Sequence, residues 1–488
     1  KGRTWMKKIE YKWIALSCTT LGALFSVLSG SMLMISLPDI MKSLNTSFSV
    51  IMWIVMGYML CLTILVPSIG RVADMFGRKK LYVSGFALFT LTSLLCGISK
   101  TGEQLLIFRL IQSVGGSLMI ANSTAIVTDA FPKNELGKAL GINSMVISIA
   151  SVIGPILGGF LSHLGWRYIF YVNVPVGVLG TVWAAIQLKE LAKIPRGQKF
   201  DWAGTILFTS GLLLFLVALS FGGFYGWTSL RVIMLFAIAV LIMVAFVSVE
   251  NNTEQPMLDL KLFKTRILAF AYSSILLNGI ARGAVTFLLI FYFQGVKGMD
   301  PLKAGLFLTP FAVSMMIVSP ISGSLSDKYG ARGLTSFGLL ISAFGLLGFI
   351  GISPQTSLTE LVIWMVIMGI GSGMFNSPNT SEIMGSVPPE RRGIAAGTRT
   401  MMNNAGQVIS IALSMAIVSS SINLEAMQTL FAGRRVSSGS LAVNEFISGA
   451  RHVFLISMII TLIAAFISYL RGPKPEWSEN LKEIKEEV

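Results

Sequence analysis

The sequence predicts an all-α polytopic membrane protein of fourteen transmembrane helices, built as two pseudo-symmetric six-helix bundles plus two inserted helices. Three observations predict it. The 488 residues are 53% hydrophobic and 12% charged, with a mean hydropathy of +0.74, against about 25% charge in soluble domains. Apolar runs of the ~20 residues needed to cross a bilayer tile most of the chain. A short polar turn between two such runs, Gly70–Lys80, recurs 253 residues later as Gly323–Arg332. Both copies carry G-x-x-x-D-x-x-G, as Gly70, Asp74 and Gly77 and again as Gly323, Asp327 and Gly330.

In chain order the spans fall at about 13–37, 49–70, 81–99, 104–128, 138–162, 166–188, 202–222, 230–249, 266–292, 303–324, 333–352, 359–381, 393–421 and 450–470. Span 1 follows the basic segment Lys1–Lys12. It is full length and has no small-residue cleavage site, so it reads as a membrane helix rather than a signal peptide. Spans 2 and 3 flank the Gly70–Lys80 turn. Span 4 carries Glu103 near its outer end, Arg109 and Gln112 inside it, and Asp129 at its inner end. Span 5 is rich in small residues around Gly154, Pro155, Gly158 and Gly159, and span 6 opens on Trp166–Gly177. The basic segment Lys189–Lys199 leads into spans 7 and 8, and the polar segment Glu250–Pro256 leads out. Span 9 holds Arg282 near its middle. Spans 10 and 11 flank the second turn, span 12 ends at Glu382, and span 13 carries Arg399. A Ser- and Gly-rich outer loop at about 422–449, with Arg434 and Arg435, precedes span 14 and the tail.

The offset that superposes the two turns also carries Asp129 onto Glu382. Spans 1–6 therefore correspond to spans 9–14, and spans 7 and 8 have no counterpart. The expected organisation is an N-terminal six-helix bundle at 1–195, an inserted hairpin at 196–255, and a C-terminal six-helix bundle with a cytoplasmic tail at 256–488. The second turn is a thinner copy: Ala331 stands where Arg78 does, and Arg332 where Lys79 does.

The net charge of +15 suggests nucleic acid only in a soluble chain. Here about 26 of the 38 cations fall in loops on one side once the N-terminus is placed in the cytoplasm. That is the positive-inside pattern of a multi-pass protein with both termini cytoplasmic. Cys18, Cys61 and Cys96 all lie in apolar runs and read as packing residues. His163 and His452, the only histidines, are far apart, so no metal site is expected. No phosphate-binding loop signals an ATP motor, and no nucleophile–base pair signals an enzyme. No cofactor is expected. Two six-span halves around a central path are the layout of secondary transporters.

On these motifs the chain resembles the major facilitator superfamily and, more narrowly, its fourteen-span drug:proton antiporter family. Gly70–Lys80 matches the loop 2–3 signature G-x-L-A-D-r-x-G-r-k, with Val72 in place of Leu. Arg109, Gln112, Gly115 and Gly116 resemble the span-4 signature around R-x-x-Q-G, with Val114 ahead of the glycines. Gly154–Gly159 matches the span-5 antiporter signature, whose leading glycine is Ala150 here. Trp166–Gly177 resembles the W-R-W-I-F-x-I-N-V-P-V-G run that opens span 6. Pro378–Asn379 and Val387–Gly397 resemble the family's P-N…V-P-x-x-x-R-G-x-A-x-G segment.

The resemblance implies a cytoplasmic gate of Gly70, Asp74, Gly77, Arg78 and Asp129, duplicated as Gly323, Asp327, Gly330, Arg332 and Glu382. In it Arg78 would bridge Asp74 and Asp129. The resemblance also implies that Arg109 sets the pKa of a nearby acid, and that Gly154, Pro155, Gly158 and Gly159 pack across the two halves of an exporter. The chain departs from the family in span 1, where Ser29 occupies the position of an acid often assigned to proton coupling.

Three cations lie within the spans, Arg109, Arg282 and Arg399, and no Asp or Glu falls near a span centre. Such residues are costly in a membrane and point to function. They suit an anionic or zwitterionic amphiphile held by guanidinium forks, or else bond backbone carbonyls. If protons couple, Asp129 and Glu382 with the turn acids Asp74 and Asp327, and Glu103, are the available carriers. The sequence therefore reads as a monomeric, proton-coupled exporter of amphipathic small molecules in the cytoplasmic membrane of a prokaryote, in contact with membrane lipid. An exporter of anionic lipids or organic anions is the alternative. A non-transporting sensor or scaffold is the alternative of another class, disfavoured because a static scaffold has no use for two gates.

Overall fold

A computed structural model of the chain describes residues 10–191, 200–253, 258, 263–388, 391–419 and 441–472. Among them are fourteen helices long and apolar enough to cross a membrane. In the first half these are α1 (Tyr11–Ser43), α2 (Phe48–Phe76), α3 (Arg78–Gly97), α4 (Gly102–Ala130), α5 (Leu136–Leu164) and α6 (Asn173–Gln187). A short helical turn, Tyr168–Tyr171, leads into α6 and with it makes up the sixth span, Tyr168–Gln187. Next come α7 (Trp202–Tyr225) and α8 (Leu230–Asn252). The second half holds α9 (Arg266–Phe291), α10 (Pro301–Tyr329), α11 (Ala331–Ile350), α12 (Leu358–Gly385), α13 (Arg392–Ser419) and α14 (Leu441–Tyr469). Helix α14 starts inside the segment expected as outer loop, and the rest of that loop, with Arg434 and Arg435, lies outside the described residues.

Helix boundaries follow local chemistry. Ser47, Thr101, Asp201, Asp300 and Ser357 each accept a backbone N–H three residues on, and so cap α2, α4, α7, α10 and α12. Gly77 and Gly330 sit at φ of 101° and 81°. That backbone favours glycine and lets α2 turn directly into α3, and α10 into α11. The recurring glycines of the duplicated turn are thus the hinges of two matched corners.

Helices α1–α6 and α9–α14 pack as two bundles that meet along two seams, α2 on α13 and α5 on α10. The duplication makes these seams equivalent, since α2 corresponds to α10 and α5 to α13. Both depend on bare backbone. A Cβ added at Gly70 would collide with the Gly393 carbonyl, and one added at Gly323 with that of Gly137. Farther along α5, a Cβ at Gly141 would stand 2.6 Å from Pro320 Cα. An apolar cluster also joins the halves at their basic ends. It sets Leu16, Val127, Phe131 and Leu140 against Leu268, Tyr272, Ile383 and Ala396.

The inserted hairpin lies outside this symmetry, along one seam. Helix α7 packs on both α13 and α2, and α8 packs on α7. Leu216 and Leu219 of α7 join Leu60 of α2 and Val408 and Ala412 of α13. Only 17% of the most apolar window of α8 is buried, so most of that helix faces lipid.

Candidate functional site

The first turn forms a buried charge cluster. Asp74, at the end of α2, and Arg78, at the start of α3, are 4% and 1% exposed. Arg78 donates Nη2 to Asp74 Oδ1 at 2.8 Å and Nη1 to Asp129 Oδ2. The bridge expected from the sequence is therefore present. Arg392, from the other half, donates to Asp129 Oδ1 at 3.1 Å and to the Thr128 carbonyl at 3.3 Å. Two acids and two arginines thus balance each other, which burial of charge requires.

Asp74 also reaches across the seam. Its Oδ1 accepts the Gly393 N–H at 3.1 Å, and its Oδ2 the Ile394 N–H at 3.2 Å. These are among the first N–H groups of α13, which have no partner within their own helix. A carboxylate there also meets the positive end of the helix dipole.

The second turn repeats the arrangement with the halves exchanged. Asp327 of α10 accepts the Gly137 N–H at 2.9 Å and the Lys138 N–H at 3.2 Å, at the start of α5. Ser377 Oγ donates to the Gly137 carbonyl at 3.1 Å. Each half therefore caps a helix of the other with the aspartate of its own turn.

The cation of the second turn departs from expectation. Arg332 donates Nε to the Tyr469 carbonyl at 2.8 Å and lies 4.1 Å from the centre of the Tyr469 ring. It takes no part in binding Glu382. Arg471, just beyond α14, does that instead: its Nη1 meets Glu382 Oε2, and its Nη2 lies 2.8 Å from both Asn379 Oδ1 and Ser468 Oγ. Sequence reasoning missed Arg471 because its partner is 89 residues away and no repeated spacing links them. It also missed Arg392, although this residue sits in the Val387–Gly397 segment.

Arg109, on α4, is 2% exposed. It donates to Gln112 Oε1 and lies 4.1 Å from the centre of the Tyr58 ring. Gln112 passes the chain of bonds to Ser93 Oγ at 2.7 Å. Among the described residues no carboxylate comes within ion-pair distance of Arg109, so the acid it was expected to tune is not beside it. Glu103 is exposed in the first turn of α4, where the helix dipole favours it. Ser29 is 3% exposed and accepts Asn173 Nδ2–H at 3.2 Å, which ties α1 to α6.

In the second half Arg399 donates Nε to Thr380 Oγ1 at 2.8 Å. Arg282 lies within electrostatic reach of it. Both are partly exposed, and neither forms an ion pair among the described residues. No nitrogen of either is a buried orphan, so the unused N–H groups open on accessible space. Helix α13 adds Asn403, Asn404 and Gln407 beyond Arg399.

The antiporter-motif glycines divide their work differently from the expectation. A Cβ at Gly154 would collide with Ser31, and one at Gly158 would stand 2.9 Å from Met32 Cα. Both contacts are with α1, inside the same half. Gly159 faces Leu302 of α10, while Gly137 and Gly141 make the closest cross-half approaches of α5. Pro155 falls on α5 at a position whose side chain lies outside the described residues.

Comparison with known proteins agrees with this architecture. The family model of the Major Facilitator Superfamily matches residues 19–411 and 271–487. The chain is 35% identical to the riboflavin transporter RibZ of Clostridioides difficile (strain 630), over 84% of this chain and 88% of that protein. It is 30% identical to multidrug resistance protein 3 of Bacillus subtilis (strain 168), over 96% and 93%. A crystal structure of a double-tryptophan XylE mutant shares the fold with a TM-score of 0.69 at 14% identity, covering 98% of each chain. It is a transporter and not an enzyme: the chain belongs to the Major Facilitator Superfamily, in its fourteen-span multidrug-efflux branch.

Proposed function

We propose that this protein is a secondary active exporter of amphipathic small molecules that works by alternating access and draws on the proton gradient. In this reading the basic face is cytoplasmic, as the positive-inside pattern implies, and the two turns are the gate on that face. The observation that carries it is the reciprocal capping by Asp74 and Asp327. Each aspartate holds backbone N–H groups of the opposite half. Such bonds are exchanged for water when the halves separate, at a small net cost of ~0.5–1.5 kcal/mol each. They suit a contact that must break and re-form in every cycle. The multidrug relative supports export of chemically varied compounds.

A more specific substrate reading rests on Arg282 and Arg399. Two guanidinium groups with accessible N–H groups that form no ion pair among the described residues, and no carboxylate near a span centre, favour anionic amphiphiles or neutral ones rich in hydrogen-bond acceptors. They disfavour lipophilic cations, which want an acid or an aromatic cage. The riboflavin transporter among the relatives makes a flavin a natural probe.

Transport into inverted proteoliposomes tests both readings. Riboflavin, an anionic amphiphile and a cationic dye are compared with and without a pH gradient. Uptake that rises with the gradient is the expected result; uptake of every compound indifferent to it rules out antiport. Loss of anion and flavin uptake in Arg282→Ala and Arg399→Ala is expected, and cation uptake that survives in both variants while anion uptake is absent from the wild type overturns the substrate reading.

A further inference from the structure

Arg109 holds a buried charge that the first half does not balance. It lies seven residues from the start of α4, about 10 Å in from the end of that helix remote from Asp129. The guanidinium covers the Tyr58 ring of α2 at 4.1 Å. Nη1 donates to Gln112 Oε1, and Gln112 is held in turn by Ser93 of α3. Nε is buried and has no acceptor. Nη2 bonds no described residue and is not sealed in as Nε is, so it opens on accessible space. The Tyr58 hydroxyl is another buried donor without a partner, and Ser26 of α1 stands near it, beyond hydrogen-bond contact. The groups within electrostatic reach of Arg109 are Tyr58 and Cys96, neither of them a carboxylate.

We propose that the Nε–Nη2 edge of Arg109 binds a small monovalent anion, with chloride as the physiological ion, and that this anion is the counter-charge of the first half. A buried cation in a membrane span is costly unless it is paired. A lysine escapes that cost by losing its proton; an arginine does not. Among the described residues no carboxylate forms an ion pair with it. Glu103 is exposed and stands six residues earlier on α4, which at about 3.6 residues per turn sets it on a different face. Asp129 is at the other end of the same helix, about 30 Å along it. Water in the site would satisfy the donors and leave the charge unmet; an anion does both.

Space sets the class of anion. Arg282 and Arg399 are partly exposed and leave room for an organic molecule, whereas Arg109 is 2% exposed and does not. A single-atom anion fits the two parallel N–H groups on one edge of a guanidinium. A sulfate or phosphate asks for more donors and brings more charge than one arginine balances. The site joins α4, through Arg109 and Gln112, to Tyr58 of α2 and Ser93 of α3. Anion binding therefore stabilises the packing of the first half, and its loss leaves a bare cation between α2 and α4. The ion is exchanged on the side of the membrane opposite the two turns, where α4 begins.

The test is thermal unfolding of the full chain in lipid nanodiscs, with sodium chloride titrated against sodium gluconate at constant ionic strength. Chlorine NMR line broadening on the same samples reads binding directly. A saturable rise in the unfolding midpoint of roughly 2 °C or more is expected, with bromide acting as chloride does and sulfate not. Arg109→Gln removes the charge and should abolish both the rise and the line broadening. Arg109→Lys keeps the charge but loses the planar fork, and should raise the half-saturating chloride concentration roughly fivefold or more; it decides the matter if Arg109→Gln fails to fold. The double variant Arg282→Ala, Arg399→Ala should keep the chloride response, since chloride held by the second half would be lost there instead. No response in the native protein overturns the proposal. So does a half-saturating concentration that Arg109→Lys leaves unchanged, or a response that survives in Arg109→Gln or disappears from the double variant. These measurements use neither a transported substrate nor a pH gradient, so their failure is distinct from a failure of the export reading.

Discussion

At Asp74 one carboxylate pairs with Arg78 and caps a helix of the opposite half. Asp327 makes the matching cap but is less buried. Breaking a buried charge pair costs ~3–5 kcal/mol, so Asp74→Asn is expected to lower transport roughly tenfold or more, and Asp327→Asn by less. Initial rates in the same vesicles check the order; equal or reversed effects refute it. Arg471 has a similar role in the second half, since it is fully buried against Glu382, Asn379 and Ser468. Arg471→Ala leaves a buried carboxylate unpaired and is expected to destabilise the protein by ~3 kcal/mol. Glu382→Gln in the same chain should recover part of that loss, because it removes the stranded charge. Thermal unfolding in detergent reads both. The first pairing, Arg78 with Asp129, was legible in the motif. The second was not, because only folding brings residue 471 to residue 382.

Helices α2 and α5 make the seams, and both do so through glycines placed where two backbones touch. An added methyl group would collide at Gly70 with the Gly393 carbonyl, and at Gly323 with the Gly137 carbonyl and Ser377 Oγ, and the backbone of the opposite half cannot turn aside as a side chain can. Gly70→Ala and Gly323→Ala are therefore expected to open the basic face, seen as faster modification by a membrane-impermeant thiol reagent at a cysteine placed on that face. Gly158→Ala is a useful contrast. Its Cβ would crowd Met32 of α1 inside one half, so it should lower stability by ~1–3 kcal/mol, as overpacking does, without opening the face. The sequence marked Gly154, Gly158 and Gly159 as a small-residue face, but its partner helix was not legible. A small-residue stripe says that something approaches closely; the fold decides what.

For the whole molecule, the insertion of α7 and α8 makes the two equivalent seams unlike. One has α7 packed along it, with Leu216 buried among Leu60, Val408 and Ala412. The other, between α5 and α10, has no such cover from the hairpin among the described residues. Leu216→Ala is expected to cost about 2 kcal/mol or more, as core truncations do. Leu241→Ala, on the lipid-facing α8 with 69% exposure, should change stability by less than about 0.5 kcal/mol. Paired thermal shifts in lipid nanodiscs distinguish them, and similar losses would place α8 in a packed interface instead.

Taken by itself, the sequence determined the span count, the duplicated halves, the extra hairpin and the corner glycines. Each of these is a local property: apolar length, repeat spacing, or a backbone angle that favours glycine. Only the tertiary structure decided which charges meet. It exchanged the helix caps between the halves, put Arg471 rather than Arg332 on Glu382, left Arg109 without an acid among the described residues, and brought Asp201 and Glu250 together over Gly204. The reason is physical. A membrane span reports its burial through composition, because lipid excludes polar groups. The partner of a buried charge is set by which helices pack side by side, and no period along the chain encodes that.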